Sequence, residues 1–250
     1  MKKLERQITE VKSVDGNTTY RVLPYTMKSQ KLLFLGIEED SVLPEEDTQK
    51  GINLFNAIVQ VVNNSLVDNT KINVLELPYV DFIKIILELR KISKSDAVDV
   101  STRCGNKDCR FFDGEAKFLI DDILQIKLSK NENDVVKLTD TLGIKLKQPT
   151  VQYIKNTMFS DNPNKTVDHH NYDLVLNNLH SELDGEEINI IKNVTEAEDI
   201  LGRLIDPEYQ KLVDWFVNDS KIFFKLEWEC EKCKHKNSEI VDEILDFLEL

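Results

Sequence analysis

Apolar residues recur at helical spacing through much of the first half of the chain. Between Thr26 and Ile37 the positions Met27, Leu32, Leu33 and Leu35 predict a helix with a broad apolar face. Asp47 to Leu66 carries Leu54, Ile58, Val61 and Val62 on one stripe, widened by Phe55. Leu77-Pro78 then halts the chain, and Phe82, Ile86 and Leu89 renew the pattern as far as Ile92. Asp81 falls in the first turn of that third helix, where a carboxylate faces the unpaired amides. Stripes of this kind predict packed core rather than a cofactor box.

The pattern changes to alternation in four short runs. Val98–Thr102 and Ala116–Ile120 flank one tight segment, and Ile222–Trp228 and Glu239–Val241 flank another, so two β-hairpins are expected. Gln125–Leu128, Val135–Leu138 and Ile144–Lys147, with Leu142-Gly143 as an interruption, predict a small β-unit. From Pro149-Thr150 to Ser220 the chain is more polar, and helices are expected over about 150–159, 171–183, 194–203 and 207–218. Pro207 suits a helix start, and Asp161-Asn162-Pro163-Asn164-Lys165 reads as a loop. Val241 to Leu250 predicts a closing amphipathic helix with Ile244, Leu245 and Leu248 inward.

These elements predict an α+β fold, mainly helical, in which a split zinc-ribbon-like pair of hairpins is assembled from two remote knuckles. Four regions follow: an N-terminal helical region over 1–95, a first knuckle hairpin with a small β-unit over 96–149, a helical insertion over 150–220, and a second knuckle hairpin with a terminal helix over 221–250. They are expected to integrate into one domain.

At the tips of the predicted hairpins stand the only four cysteines, Cys104 and Cys109 in one pair and Cys230 and Cys233 in the other. No basic, apolar and small-residue succession near Met1 resembles a signal peptide, and no apolar run reaches the roughly 18 residues of a membrane span. A reducing cytoplasm is therefore the expected setting, with thiolates rather than disulfides. Two short turns, with four residues between Cys104 and Cys109 and two between Cys230 and Cys233, can supply the tetrahedral thiolate set that zinc prefers, and all four ligands from protein leave no open position for water. The expected role is structural. Gly105-Asn106 and Lys234–Asn237 suit turns, and neighbouring lysines would offset the anionic site. His235 is a possible substitute ligand, though the four cysteines already complete a set.

Other chemistry is sparse. There is no phosphate-binding glycine loop, nucleophile elbow or dinucleotide fingerprint, and no catalytic or cofactor-binding residue is assigned. Asp168, His169 and His170, and likewise His180, read as exposed polar positions. Trp215 and Phe216 read as packing the insertion onto the ribbon, with an interaction anchor as the alternative. The net charge of −13, with Asp99, Glu227, Glu229 and Glu239 on the knuckle strands, argues against nucleic-acid binding, the function otherwise associated with zinc ribbons.

The order of several segments resembles the baseplate hub and hub-assembly proteins of T-even-like contractile-tailed bacteriophages. The segments are Leu23-Pro24-Tyr25-Thr26-Met27-Lys28, Leu77-Pro78-Tyr79-Val80-Asp81, Leu89-Arg90-Lys91-Ile92-Ser93, the first knuckle, Val136-Lys137-Leu138 through Gly143 to Lys147-Gln148-Pro149-Thr150, and the second Cys-x-x-Cys. Val151 to Ser220 adds little to it. The resemblance implies a non-enzymatic protein whose partners are other baseplate hub proteins. Its expected role is transient promotion of hub assembly in the host cytoplasm. The alternatives are a subunit kept in the virion tail baseplate and a zinc-ribbon regulatory or nucleic-acid-binding protein. No membrane partner is expected, and the sequence assigns no oligomeric state.

Overall fold

The computed structural model describes residues 6–44, 51–68, 70–109, 111–127, 135–159 and 166–242. Strands β1 (Thr9–Lys12) and β2 (Thr19–Val22) form an antiparallel hairpin, followed by helix α1 (Met27–Ser41). Helix α2 (Ile52–Ser65), a 3-10 turn over Val74–Glu76 and helix α3 (Tyr79–Ser93) complete the N-terminal part. The Thr26 hydroxyl caps α1 by accepting the Ser29 N–H at 3.2 Å.

Helix α1 buries Ser29, Leu33, Gly36 and Asp40, whereas Met27 and Leu35 are exposed. The broad apolar face expected from the sequence is therefore corrected: the side toward α2 is chosen for close approach and capping. A Cβ on Gly36 would stand 2.9 Å from the Leu54 Cα, so only glycine lets the two helices meet there. One turn later, Asp40 accepts the backbone N–H of Asn53 at 3.2 Å and of Leu54 at 2.9 Å. The start of α2 is thus capped by a carboxylate from its neighbour, satisfying amides that its own turn leaves open.

The first hairpin of the middle region is β3 (Ala97–Arg103) with β4 (Phe112–Leu119), followed by the one-turn helix α4 (Ile120–Ile123) and strand β5 (Leu124–Lys127). Far along the chain, β10 (Lys221–Glu229) pairs antiparallel with both β11 (Lys236–Val241) and β5. Alternate residues of β10, namely Ile222, Phe224 and Leu226, enter a core with Phe55, Val62, Phe82, Ile85 and Ile86 from α2 and α3. Each fully buried side chain of this kind contributes about 1.5–3 kcal/mol. The C-terminal strand is thereby part of the N-terminal core.

A second core is built from β6 (Val135–Lys137), β7 (Leu142–Leu146), α6 (Val167–Asn178), β8 (Leu179–Asp184), α7 (Val194–Leu201) and α8 (Asp206–Val217). Strand β9 (Glu187–Ile190) closes the sheet, whose order is β6-β7-β8-β9, all antiparallel. Helix α5 (Val151–Met158) packs on the first core through Val151, with the Thr150 hydroxyl accepting the Tyr153 N–H at its start. A cavity of about 770 Å³ lies between the cores, lined by residues that include Tyr79, Ile83, Ile154, Phe216 and Ile222.

The fold is mixed α/β, with eight α-helices and eleven strands in several small sheets among the described residues, and is not mainly helical. Two hairpins account for the difference. The β1–β2 pair was not expected. The helix expected over 171–183 runs instead over Val167–Asn178, after which Leu179–Asp184 turns back as a strand. Trp215 and Phe216 pack edge to face, 4.8 Å between centroids, inside the second core and not on the knuckle hairpins. The loop at Asp161–Lys165 and the start of the second helix at Asp47 lie outside the described residues, as does the closing helix beyond Asp242; Val241 itself ends β11.

Candidate metal centre

Each knuckle is the turn of a hairpin, so the strands aim its sulfurs. The Cys104 N–H donates to the Phe111 carbonyl at 2.8 Å, and the Cys109 N–H to the Asn106 carbonyl at 3.0 Å. In the second knuckle the Cys230 N–H donates to the His235 carbonyl and the Lys234 N–H to the Cys230 carbonyl, both at 2.9 Å. Lys234 sits at φ 59, in the left-handed region that closes this tight turn. The turn expected over 234–237 lies earlier, over 231–233: Lys234 and His235 lead out of it, and Lys236 and Asn237 already belong to β11.

The four sulfurs converge. Cys104 Sγ lies 3.6 Å from Cys233 Sγ, Cys109 Sγ lies 3.9 Å from Cys230 Sγ, and all four fall within 4.8 Å of one another. A disulfide needs about 2.0 Å, so these are separate thiols. A tetrahedral zinc with bonds of about 2.3 Å sets its sulfurs about 3.8 Å apart along each edge. The 3.6 and 3.9 Å edges bracket that figure, and the donor set is compatible with a structural metal. Cys104 and Cys230 are buried, Cys109 is half-buried and Cys233 is exposed, so the centre is sealed on one side.

Backbone amides reach three of the four sulfurs, against burial that raises Cys104 and Cys109. Cys104, Cys109 and Cys233 each receive the backbone N–H of the residue two positions on, which is Asn106, Phe111 and His235 respectively. The His235 amide, with help from the neighbouring thiols, holds Cys233 down to about 7, whereas burial pushes Cys104 up to about 12. The Asn106 side chain approaches Cys233 Sγ at 3.9 Å, and Lys232 stands 5.7 Å over the Phe111 ring.

Asn237 is the residue that sequence reasoning passed over as mere turn. It is buried on β11, directly across from Trp228. Its Oδ1 accepts the Gly105 N–H from the other knuckle at 2.8 Å, while its Nδ2 donates to the His235 carbonyl at 3.1 Å. A Cβ at Gly105 would approach this oxygen to 3.3 Å, a tight contact that a glycine avoids. One amide therefore locks the two knuckles together from beneath the sulfurs. Replacing it by alanine leaves the Gly105 N–H without its acceptor in a part-buried site and is expected to cost about 1–2 kcal/mol. Thermal melting of Asn237→Ala checks this, and a drop of roughly 2–9 °C is the expected result for a chain of this size.

The remaining ligand-type residues do other work. Asp168, His169 and His170 open α6, where His169 Nδ1 and the Thr166 hydroxyl lie 2.8 Å apart in a capping box. His180 is on β8, 3.1 Å from the Ser181 hydroxyl. His235 reaches the centre through its backbone, as above, and its side chain is absent from the cluster of candidate ligands. Among the described residues, the four cysteines form the one group of three or more His, Cys, Asp or Glu side chains placed to share a metal. No described helix is long and apolar enough to cross a membrane.

The segments that carry the resemblance also touch one another. The Tyr79 N–H donates to the Pro149 carbonyl at 2.9 Å, and the Val151 N–H to the Leu77 carbonyl at 3.0 Å. The Tyr25 N–H donates to the Ser93 hydroxyl at 3.0 Å. What looks in sequence like scattered signatures is in space a set of backbone seams around α3. No curated protein and no solved structure matches the chain. A family model described as T4 bacteriophage base plate protein matches residues 5–249, both knuckles and everything between them. The chain belongs to the T4 bacteriophage base plate protein family.

Proposed function

We propose that this baseplate protein is a non-enzymatic factor that promotes assembly of the central hub in the host cytoplasm and then leaves it. One zinc ion held by Cys104, Cys109, Cys230 and Cys233 would staple its two remote knuckles into a split zinc ribbon. The observation that carries the proposal is the family match over residues 5–249, which makes the chain a structural or assembly component of the phage baseplate that works with other baseplate proteins. The net charge of −13 suits a free, soluble state between rounds of binding. When bound, zinc would cross-link four thiolates. With protein sulfur at every corner it would offer no position for substrate.

A second reading, a hub subunit kept in the particle, draws on the exposed apolar side chains of α1. Met27, Phe34, Leu35 and Ile37 project from the side away from α2, as a permanent interface requires. Quantitative mass spectrometry of tail intermediates and of purified particles separates the two. Association with intermediates and absence from particles is the expected result; a fixed stoichiometry in particles would overturn the transient role. The exposed carboxylates of Asp99, Glu227, Glu229 and Glu239 on the knuckle strands oppose a nucleic-acid role. Salt-sensitive binding of a short duplex would reverse that conclusion.

A further inference from the structure

Strand β9 is an edge protected by neither a basic residue nor a proline. Sheet edges present unpaired amides and carbonyls, and proteins blunt them with charge, proline or cover. Each of the other edge strands among the described residues carries at least one lysine or arginine, as Lys137 does on β6 at the opposite edge of the same sheet. Strand β9 reads Glu187-Ile188-Asn189-Ile190, and it has neither basic residue nor proline. Ile188 and Ile190 point to one face and are 65% and 61% exposed. Opposite them on β8 stand Leu183 and Ser181.

The free edge has a definite polarity. The Ile191 N–H donates to the His180 carbonyl on the β8 side. By alternation, Asn189 and Glu187 also face β8, and the main-chain groups of Ile188 and Ile190 face outward. We propose that this edge pairs antiparallel with the β9 of a second copy, making a twofold dimer with a continuous eight-stranded sheet. The register follows from the sequence. Centring the twofold on Asn189 sets Ile188 opposite Ile190 of the second copy. These are the two residues whose N–H and C=O groups are free, so four backbone hydrogen bonds form across the axis. The same register gathers four isoleucines on one face.

It also sets Glu186 opposite Lys192 of the second copy, twice by symmetry. Both side chains are exposed, one just before the strand and one just after it. A slip by one residue would put isoleucine on the wrong face, and a slip by two would lose the charge match. A patch that complements itself under a twofold axis is what a homodimer needs. Because the strand is four residues long, the interface is small and the dimer weak.

Sedimentation velocity of the full chain from about 1 to about 200 µM, the span in which small interfaces associate, tests this. A monomer–dimer equilibrium is expected. Ile188→Lys and Lys192→Glu should each weaken it at least about tenfold, the second by setting like charges together. The double reversal Glu186→Lys with Lys192→Glu restores opposite charges in the same register and should recover the dimer. Both positions are exposed, and unchanged circular dichroism and melting would show that the variants stay folded. A chain monomeric throughout would overturn the proposal. So would a dimer indifferent to Ile188→Lys, or a double reversal that recovers nothing.

Discussion

Replacing Cys233 by serine lowers the melting temperature as much as replacing Cys104 or Cys230, if the four sulfurs share a metal. Burial alone predicts a different outcome. Cys104 and Cys230 are buried and Cys233 is exposed, so without a metal the first two substitutions would hurt and the third would be nearly silent. A shared zinc makes the three equivalent, because each loss breaks the same tetrahedron. Structural zinc sites supply on the order of 10 kcal/mol in small domains, comparable with the whole stability of a typical fold. Loss of most of the soluble yield is expected for each variant, together with a zinc content falling from about one ion per chain toward none. Melting with and without a strong chelator, and metal analysis of the purified protein, check both points. A Cys233→Ser protein with wild-type melting and full zinc would remove the metal from the account.

Removing the Asp81 carboxyl should produce the next largest loss. Asp81 is buried at the start of α3, and its two oxygens accept the Val14 N–H at 2.7 Å and the Tyr20 hydroxyl at 2.8 Å. Those two donors belong to the β1–β2 hairpin, so one side chain holds the hairpin on the helix. Burial and the carboxyl also push the Tyr20 hydroxyl well above its ordinary range, so it remains a donor across all working pH. Asp81→Ala leaves both donors without that acceptor at a buried position, at about 1–3 kcal/mol each. A fall in melting temperature of roughly 5–20 °C is expected. Asp81→Asn should cost clearly less, since its amide oxygen can still take the Val14 N–H. Equal losses in the two variants would mean that the hairpin is held by its apolar residues, Val11 and Tyr20 among them, and not by this carboxyl.

The same residue shows how far the sequence could be read. Asp81 was expected in the first turn of a helix and is there, but the spacing of one helix cannot reveal which distant strand will need an acceptor. The cysteines were the most legible feature because ligand spacing is local within each knuckle, and the structure brings all four sulfurs together. Asn237, which ties those knuckles, was not legible, since a buried amide bridging Gly105 across more than half the chain has no short-range signature. The stripes of α2 and α3 gave their buried residues well, because their apolar positions repeat and the helices are central. Helix α1 misled for the opposite reason: its inner face is Ser29, Gly36 and Asp40 around a single leucine. In Val175 to Glu182 a helical apolar stripe and a strand compete, and pairing with β7 decides for the strand from Leu179 onward.

The wide separation of the knuckles has a consequence for how the protein is made. Cys109 and Cys230 are 121 residues apart, and Phe224 is a central residue of the N-terminal core. At about 5–20 residues per second, a ribosome needs roughly 6–25 s to travel from the first knuckle to the second. Until β10 emerges, the core around α2 and α3 lacks Ile222, Phe224 and Leu226. The second core, which lies wholly between the knuckles, has time to form first. A chain interrupted before Lys221 then lacks both the β10 residues of the first core and half of the thiol set, so such a copy would be left with an incomplete core and would not reach the baseplate.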